Sequence, residues 1–246
     1  MRRLRSAEDR SGTAAEGVRR LRIISYNLRE HAARGELSAL TDDNDVDVLC
    51  LQECDSTDMP ERLGHMVLVE QTKTNRLGLA MYCREERFTV NTTRVFKLRK
   101  SLHDRVMAPA HERLIAAHLT DRTSGQDVLV GDFHAAPLTA SNSLRRKQIA
   151  SAHDGMRSIA PGVPTVMVGD FNYPWFVRGL ERKLQASGYQ LTRTPTPTYI
   201  RYKYFSGYFD FVTSTGFRIE DIVVLPKGES DHLPIRLEAK ILQHAA

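Results

Sequence analysis

The chain has 246 residues, 41% of them hydrophobic, and a mean hydropathy of −0.38, enough for a substantial core in one large domain or two small ones. No stretch approaches the roughly 18 consecutive apolar residues of a membrane helix, which excludes a helix-spanning protein and gives no reason to expect stable membrane association. The net charge of +5 is uneven: residues 1–22 hold seven Arg against Glu8, Asp9 and Glu16, so the remaining body is close to neutral.

Residues 1–20 carry almost no large apolar side chains and cannot offset their ordering entropy, so they are expected to form a disordered basic leader before a single domain over 21–243. They lack the apolar segment and small-residue cleavage site of a secretory signal, and a cytoplasmic location is expected. A strand is expected at 22–27, a helix-like stretch at 35–44, and a buried strand in the run Val46-Asp47-Val48-Leu49-Cys50-Leu51. Further strands are expected at 66–70, 77–83, 88–96, 113–119, 126–133, 164–169, 208–214, 217–225 and 233–241. Helical spacing is confined chiefly to 139–158 and 176–187, and the Ser124-Gly125 pair and the 195–198 stretch read as loops within the domain. Cys50, Cys54 and Cys83 cannot all pair and form no CxxC, so buried neutral thiols are expected. Many strands with few long helices predict an α+β fold, a four-layer α/β/β/α sandwich of two mostly antiparallel sheets packed face to face with helices outside.

Polar residues fall at strand ends, where a rigid scaffold presents reactive groups. In Val166-Met167-Val168-Gly169-Asp170-Phe171-Asn172 the alternation of a strand would point Asp170 and Asn172 to one side, with Gly169 allowing close approach; a Gly-Asp turn capped by Asn is the competing reading. Glu53 follows a wholly apolar run, a natural place for a hard-cation ligand. Asp231 and His232 stand side by side ahead of the last strand, a plausible acid/base and ligand pair, and Asn27 ends the first. Val130-Gly131-Asp132-Phe133-His134 echoes the later Gly-Asp-Phe, as if corresponding strands of two related sheets carried it, and chance recurrence is the alternative.

Five motifs in this order, Tyr26-Asn27, Leu51-Gln52-Glu53, Gly169-Asp170-Phe171-Asn172, Phe209-Asp210-Phe211-Val212 and Ser230-Asp231-His232-Leu233-Pro234, resemble the endonuclease/exonuclease/phosphatase superfamily, the fold of deoxyribonuclease I, over residues 21–243. The resemblance implies a Mg2+ (or Mn2+) ion on Glu53 with Asn27 and Asp231 close by. It also implies that Asp170 orients or deprotonates the attacking water, Asn172 donates to a phosphoryl oxygen, and His232, oriented by Asp210, contacts the phosphate. His134 matches a strand-end histidine that the deoxyribonuclease-like branch uses as general acid on the leaving oxygen, although the usual Thr-His-Leu is absent here; a structural histidine is the other reading. Arg113 and Arg145 are candidate substrate contacts. Arg145 stands three residues before Gln148 as family members often have it, and a solvated basic helix face is an equal alternative. Tyr199 to Phe205 interleave aromatic and basic residues and could stack bases, or form a strand with one solvated face.

The function expected from this resemblance is a divalent-metal-dependent phosphodiesterase, a nuclease acting on nucleic acid by in-line attack of water, with no obligate protein partner. A phosphatase or phosphodiesterase of a small-molecule or lipid headgroup phosphate is the alternative. Within that alternative the inositol phosphatase branch is disfavoured, since it usually has Arg after the Asp of the motif occupied here by Phe209-Asp210-Phe211-Val212.

Overall fold

The structure, a computed structural model, describes residues 20–242 apart from 76, 103, 105–110 and 202–204. The leader expected over 1–20 lies outside the described residues except for Arg20. That residue belongs to the domain: its guanidinium bonds Glu238 at 2.9 Å and its carbonyl accepts from Arg87.

Fifteen strands and three α-helices are found among the described residues. One seven-stranded sheet runs in the order β14 (Phe217–Val224), β15 (Ile235–Ile241), β1 (Leu21–Asn27), β2 (Val48–Cys54), β5 (Gly78–Arg84), β4 (Met66–Gln71), β3 (Arg62–Leu63). The second, six-stranded, runs β10 (Gln190–Arg193), β13 (Asp210–Thr215), β9 (Thr165–Asp170), β8 (Asp127–His134), β7 (Glu112–Asp121), β6 (Phe88–Lys97). A separate hairpin pairs β11 (Tyr199–Arg201) with β12 (Phe205–Gly207).

Each large sheet contains one parallel pair, β1 with β2 and β8 with β9. A parallel pair needs a crossover. Between β1 and β2 it is a 3-10 turn (Ala32–Glu36) and α1 (Leu37–Asp43); between β8 and β9 it is α2 (Asn142–Ile159). The crossovers cover the outer faces of their sheets, α2 being joined by α3 (Val177–Ala186), which gives the four layers expected from the sequence.

Alternation then sorts the side chains. Ile23, Val48, Val130, Val166, Val168 and Val212 point between the sheets, while Ile24, Leu49, Leu129, Met167 and Phe211 point out to the helix layers. The three cysteines are free and buried. At the N-terminal end of β2 the sheets are clamped by a buried guanidinium: Arg87 bonds Asp121 at 2.9 Å and Asp47 as well. Among the described residues no helix is long and apolar enough to cross a membrane.

The Gly-Asp-Phe echo has a different origin from the one expected. Its two copies sit on neighbouring strands of one sheet, not on corresponding strands of two, and they are out of register: His134 faces Asp170, and Asp132 faces Val168. Asp132 therefore lies one inward step deeper than Asp170. Gly169, at φ +144°, is required at this seam, because a Cβ there would meet the Phe133 carbonyl oxygen at 1.9 Å.

Candidate active site

At the other end of the sandwich, the last inward-facing positions of several strands are polar. Asn27 ends β1, His134 ends β8, Asp170 ends β9 and Asp210 begins β13. All are buried or nearly so, around a cavity of about 450 Å³.

Glu53 reaches this cavity by a local irregularity. In β2 the inward positions are Val48, Cys50 and Gln52, so regular alternation would send Glu53 to the outer, α1-covered face. A bulge between Gln52 and Cys54, with Glu53 at φ 55°, turns its carboxylate to the cavity instead. Its Oε2 accepts from the Glu30 N–H at 3.0 Å, and its Oε1 lies 3.9 Å from His134 Nε2.

Asp170 is the hub. Its Oδ1 accepts the Asn172 N–H at 2.8 Å, and its Oδ2 accepts from Asn172 Nδ2 at 3.0 Å and from Asn27 Nδ2 at 3.2 Å. His134 Nε2 and His232 Nε2 stand 3.6 and 3.7 Å from the same oxygen. Asn172 comes to this point through a tight Asx-type turn at φ 48°, beyond the end of β9, and not by the strand alternation expected. Burial pushes the Asp170 carboxyl up to about 7, with Asp210 and Glu53 adding to the rise against the charge on His232.

His232 is held by its other nitrogen: Nδ1 and Asp210 Oδ2 are 3.0 Å apart. Burial opposes its charge, but Asp210 and Asp170 outweigh burial and raise it to about 9, so the imidazolium persists at neutral pH. Ser230 fixes the segment, its hydroxyl donating to the Asn27 carbonyl at 2.7 Å and accepting the His232 N–H at 3.0 Å. His134 behaves oppositely. Burial, then the charges of Arg113 and His232, hold it down to about 3, so it is a neutral imidazole and the protonated form needed by the expected general-acid role is disfavoured.

Of the two candidate substrate contacts, Arg113 lines the cavity and Arg145 does not. Arg113 is buried, with Nη2 bonded to both Asp104 oxygens at 2.8 Å and Nη1 to the His134 and Ala135 carbonyls. Arg145 is buried too, bonded to the Pro137 carbonyl at 2.7 Å and to Asn142. Both guanidiniums brace the frame of the site through these bonds, while each keeps a buried Nε without a hydrogen-bond partner. Two further guanidiniums line the cavity, those of Arg29 and Arg201, whose Nε atoms lie 3.9 and 3.8 Å from Asp231 Oδ2. Arg201 falls in the aromatic-basic segment noted in the sequence. Arg29 gave no signal there beyond its place two residues after Asn27, where it takes a left-handed conformation.

A second feature not foreseen is Asp132. Its Oδ1 accepts from Gln52 Nε2 at 2.6 Å, joining the two sheets directly beneath Glu53 and His134, and burial raises its carboxyl well above the usual range. A carboxyl raised in the folded state contributes stability that is full below the unfolded value near 3.9 and is lost as pH rises toward the folded one. Asp132→Asn, which keeps the acceptor, is therefore expected to gain stability over the wild type as pH rises from 5 to 8, by up to about 1.4 kcal/mol per pH unit. Urea midpoints of the two proteins across that range check this; a pH-independent difference would refute it.

Among the described residues no three His, Cys, Asp or Glu side chains lie close enough to cage a metal by themselves. The donor chemistry nonetheless fits a hard cation, since Mg2+ is commonly held by one or two carboxylates with the rest of its shell left to water and phosphate oxygens. Of the carboxylates that line the cavity outside the Asp170–His232–Asp210 chain, Asp104 is paired with Arg113 and Glu30 is exposed, which leaves Glu53 and Asp231 as the candidates to hold a cation. Asn27 Oδ1 accepts the Arg29 N–H at 3.0 Å and keeps its second lone pair.

Comparison with known proteins bears on this end of the sandwich. No curated protein matches the chain. Among solved structures, it superposes on an endonuclease/exonuclease/phosphatase from Bacteroides vulgatus with a TM-score of 0.74 at 14% identity, covering 91% of this chain and 100% of that one. The mannosyl-6-phosphatase of Bacteroides thetaiotaomicron gives 0.70 at 18%, covering 90% and 100%. D. rerio TDP2 complexed with single-strand DNA product gives 0.71 at 16%, covering 90% and 99%. Enzymes of this fold family generally use divalent metal ions. The model of the Endonuclease/Exonuclease/phosphatase family matches residues 23–232, a span that runs from β1 to His232 and takes in every group just described, and the chain therefore belongs to that family of phosphoester hydrolases.

Proposed function

We propose that the chain is a Mg2+- or Mn2+-dependent phosphodiesterase that hydrolyses nucleic acid by in-line attack of water. The observation that carries the nucleic-acid reading is the rim of the cavity, where Tyr199 presents a ring and Arg29 and Arg201 present guanidiniums beside the reacting centre. A ring can stack a base and a guanidinium can hold a flanking phosphate, a combination a polynucleotide uses fully.

In this mechanism Asp170, poised near neutrality, takes the proton of the attacking water. Asn172 orients Asp170 through its backbone N–H and turns its side-chain amide to a phosphoryl oxygen when substrate displaces the internal bond. His232, kept charged and oriented by Asp210, faces the negative charge that accumulates on phosphorus, and neutral His134 hydrogen-bonds the leaving oxygen. These are preorganised donors on largely buried side chains, where electrostatic stabilisation exceeds that in water. A divalent cation held by Glu53 and Asp231 would add Lewis-acid stabilisation of the same charge.

A second reading, hydrolysis of a small phosphate monoester, is favoured by the cavity volume of about 450 Å³, which suits a sugar phosphate or mononucleotide. The two separate on a substrate panel of single- and double-stranded DNA, RNA, bis(p-nitrophenyl) phosphate and sugar phosphates, run with Mg2+ or Mn2+ and with EDTA. Metal-dependent cleavage of a polynucleotide is expected; turnover of monoesters alone would replace the first reading with the second.

A further inference from the structure

Helix α3 begins in an unusual way. The residue before its first turn is Phe176, which takes a left-handed conformation at φ 62°, ψ 30° and makes no side-chain capping bond. Ser, Thr, Asp or Asn is the normal choice at that position, and a left-handed backbone is unfavourable for a bulky aromatic residue. Packing does not compensate, since Phe176 is 78% exposed and its neighbour Trp175 is 50% exposed. The other exposed large hydrophobic side chains among the described residues are single and aliphatic. Scattered aliphatic exposure is ordinary, whereas two adjacent exposed aromatics on a strained backbone point to a use outside the fold.

Their position supplies the use. Trp175 follows Asn172 by three residues, and three residues of chain span at most about 11 Å. The intervening Tyr173 is buried and its hydroxyl accepts from Arg146 Nη1 at 2.8 Å, so the pair is presented from an anchored base. The surface beyond is cationic: Arg146 and Lys147 of α2 and Lys183 of α3 line the groove between the two helices, in a body of nearly neutral charge. Aromatic faces stack on any base and cationic side chains follow the backbone, the arrangement by which single strands are held. A bilayer would require a broad apolar face, and here Trp175 and Phe176 are followed by Arg178, while Arg146 bonds Tyr173 two residues before Trp175.

We propose that Trp175 and Phe176 form a stacking platform for unpaired bases of a single-stranded nucleic acid, whose backbone leaves the cavity along the basic groove between α2 and α3. The proposal rests on the nucleic-acid reading of the cavity, and it can be tested apart from hydrolysis. Trp175 is the only tryptophan of the chain, so its emission reports on the platform directly.

The full-length protein is titrated in EDTA with a phosphorothioate-linked ten-residue oligothymidylate, following tryptophan emission and, with a labelled copy, anisotropy. Saturable quenching is expected, with Trp175→Ala and Phe176→Ala each weakening Kd about tenfold and Trp175→Phe by much less. Phe176→Asn is the decisive variant: Asn tolerates the left-handed conformation and caps helices, so it should raise the melting temperature while weakening binding as much as Ala. All four variants should turn over bis(p-nitrophenyl) phosphate like the wild type. Binding without a change in emission, no binding at all, or unchanged affinity in Phe176→Asn would overturn the platform. So would a blue-shifted, enhanced emission with phosphatidylglycerol vesicles but none of the quenching with the oligonucleotide, which would mark a membrane contact. Quenching in a protein that hydrolyses no polynucleotide would keep the platform and discard the nuclease reading, and polynucleotide hydrolysis without quenching would do the reverse.

Discussion

Asp170→Asn is expected to lower kcat on a phosphodiester by a hundredfold or more, the usual scale for loss of a general base, with KM little changed. The reasoning is geometric before it is electrostatic: this carboxylate is the one group within 4 Å of both imidazoles and both side-chain amides at the site. The pH profile gives a second readout. With Asp170 raised to about 7 and active when ionised, wild-type kcat/KM should climb through that pH, and with His232 raised to about 9 and active when charged it should fall above it. The variant should lose the rising limb and keep the falling one. A profile whose acid limb survives the substitution would assign the base elsewhere.

Glu53→Gln should cost activity on the same scale, through the cation. The amide can still accept the Glu30 N–H, so the bulge should stand and the melting temperature of the metal-free protein should be close to that of the wild type. What is lost is the negative charge, and a hard cation bound largely by charge should then require at least tenfold more Mg2+ for half-maximal activity. Calorimetric titration of metal into both proteins checks this. Equal metal affinity in the variant would move the cation away from Glu53.

Much of the frame was legible in the sequence because alternation and crossover are local properties of the chain. The runs at 22–27, 46–51, 126–133 and 164–169 became β1, β2, β8 and β9 with boundaries shifted by at most three residues, and the helices at 139–158 and 176–187 became α2 and α3. Short pieces escaped, among them β3 and β10, since two to four residues carry too little pattern to separate from loop. The site was harder. Position 53 could be singled out by the apolar run before it, but the bulge that aims it depends on the register with β5, which no local pattern encodes. For Arg113 and Arg145 the sequence offers their candidacy as substrate contacts but does not reveal the bonds they make to Asp104 and to the carbonyls of 134, 135 and 137. The meaning of the second Gly-Asp-Phe was likewise hidden until the pairing of β8 with β9 placed Asp132 beneath the site.

The division of the site between the two sheets has a consequence for how the protein comes together. Asn27 and Glu53 belong to one sheet and His134, Asp170 and Asp210 to the other, with His232 arriving just before the last strand. Neither sheet, folded by itself, holds a reacting centre. In refolding, helical and sheet signals in circular dichroism should therefore recover ahead of catalytic turnover, and the lag between them would time the closing of one sheet upon the other.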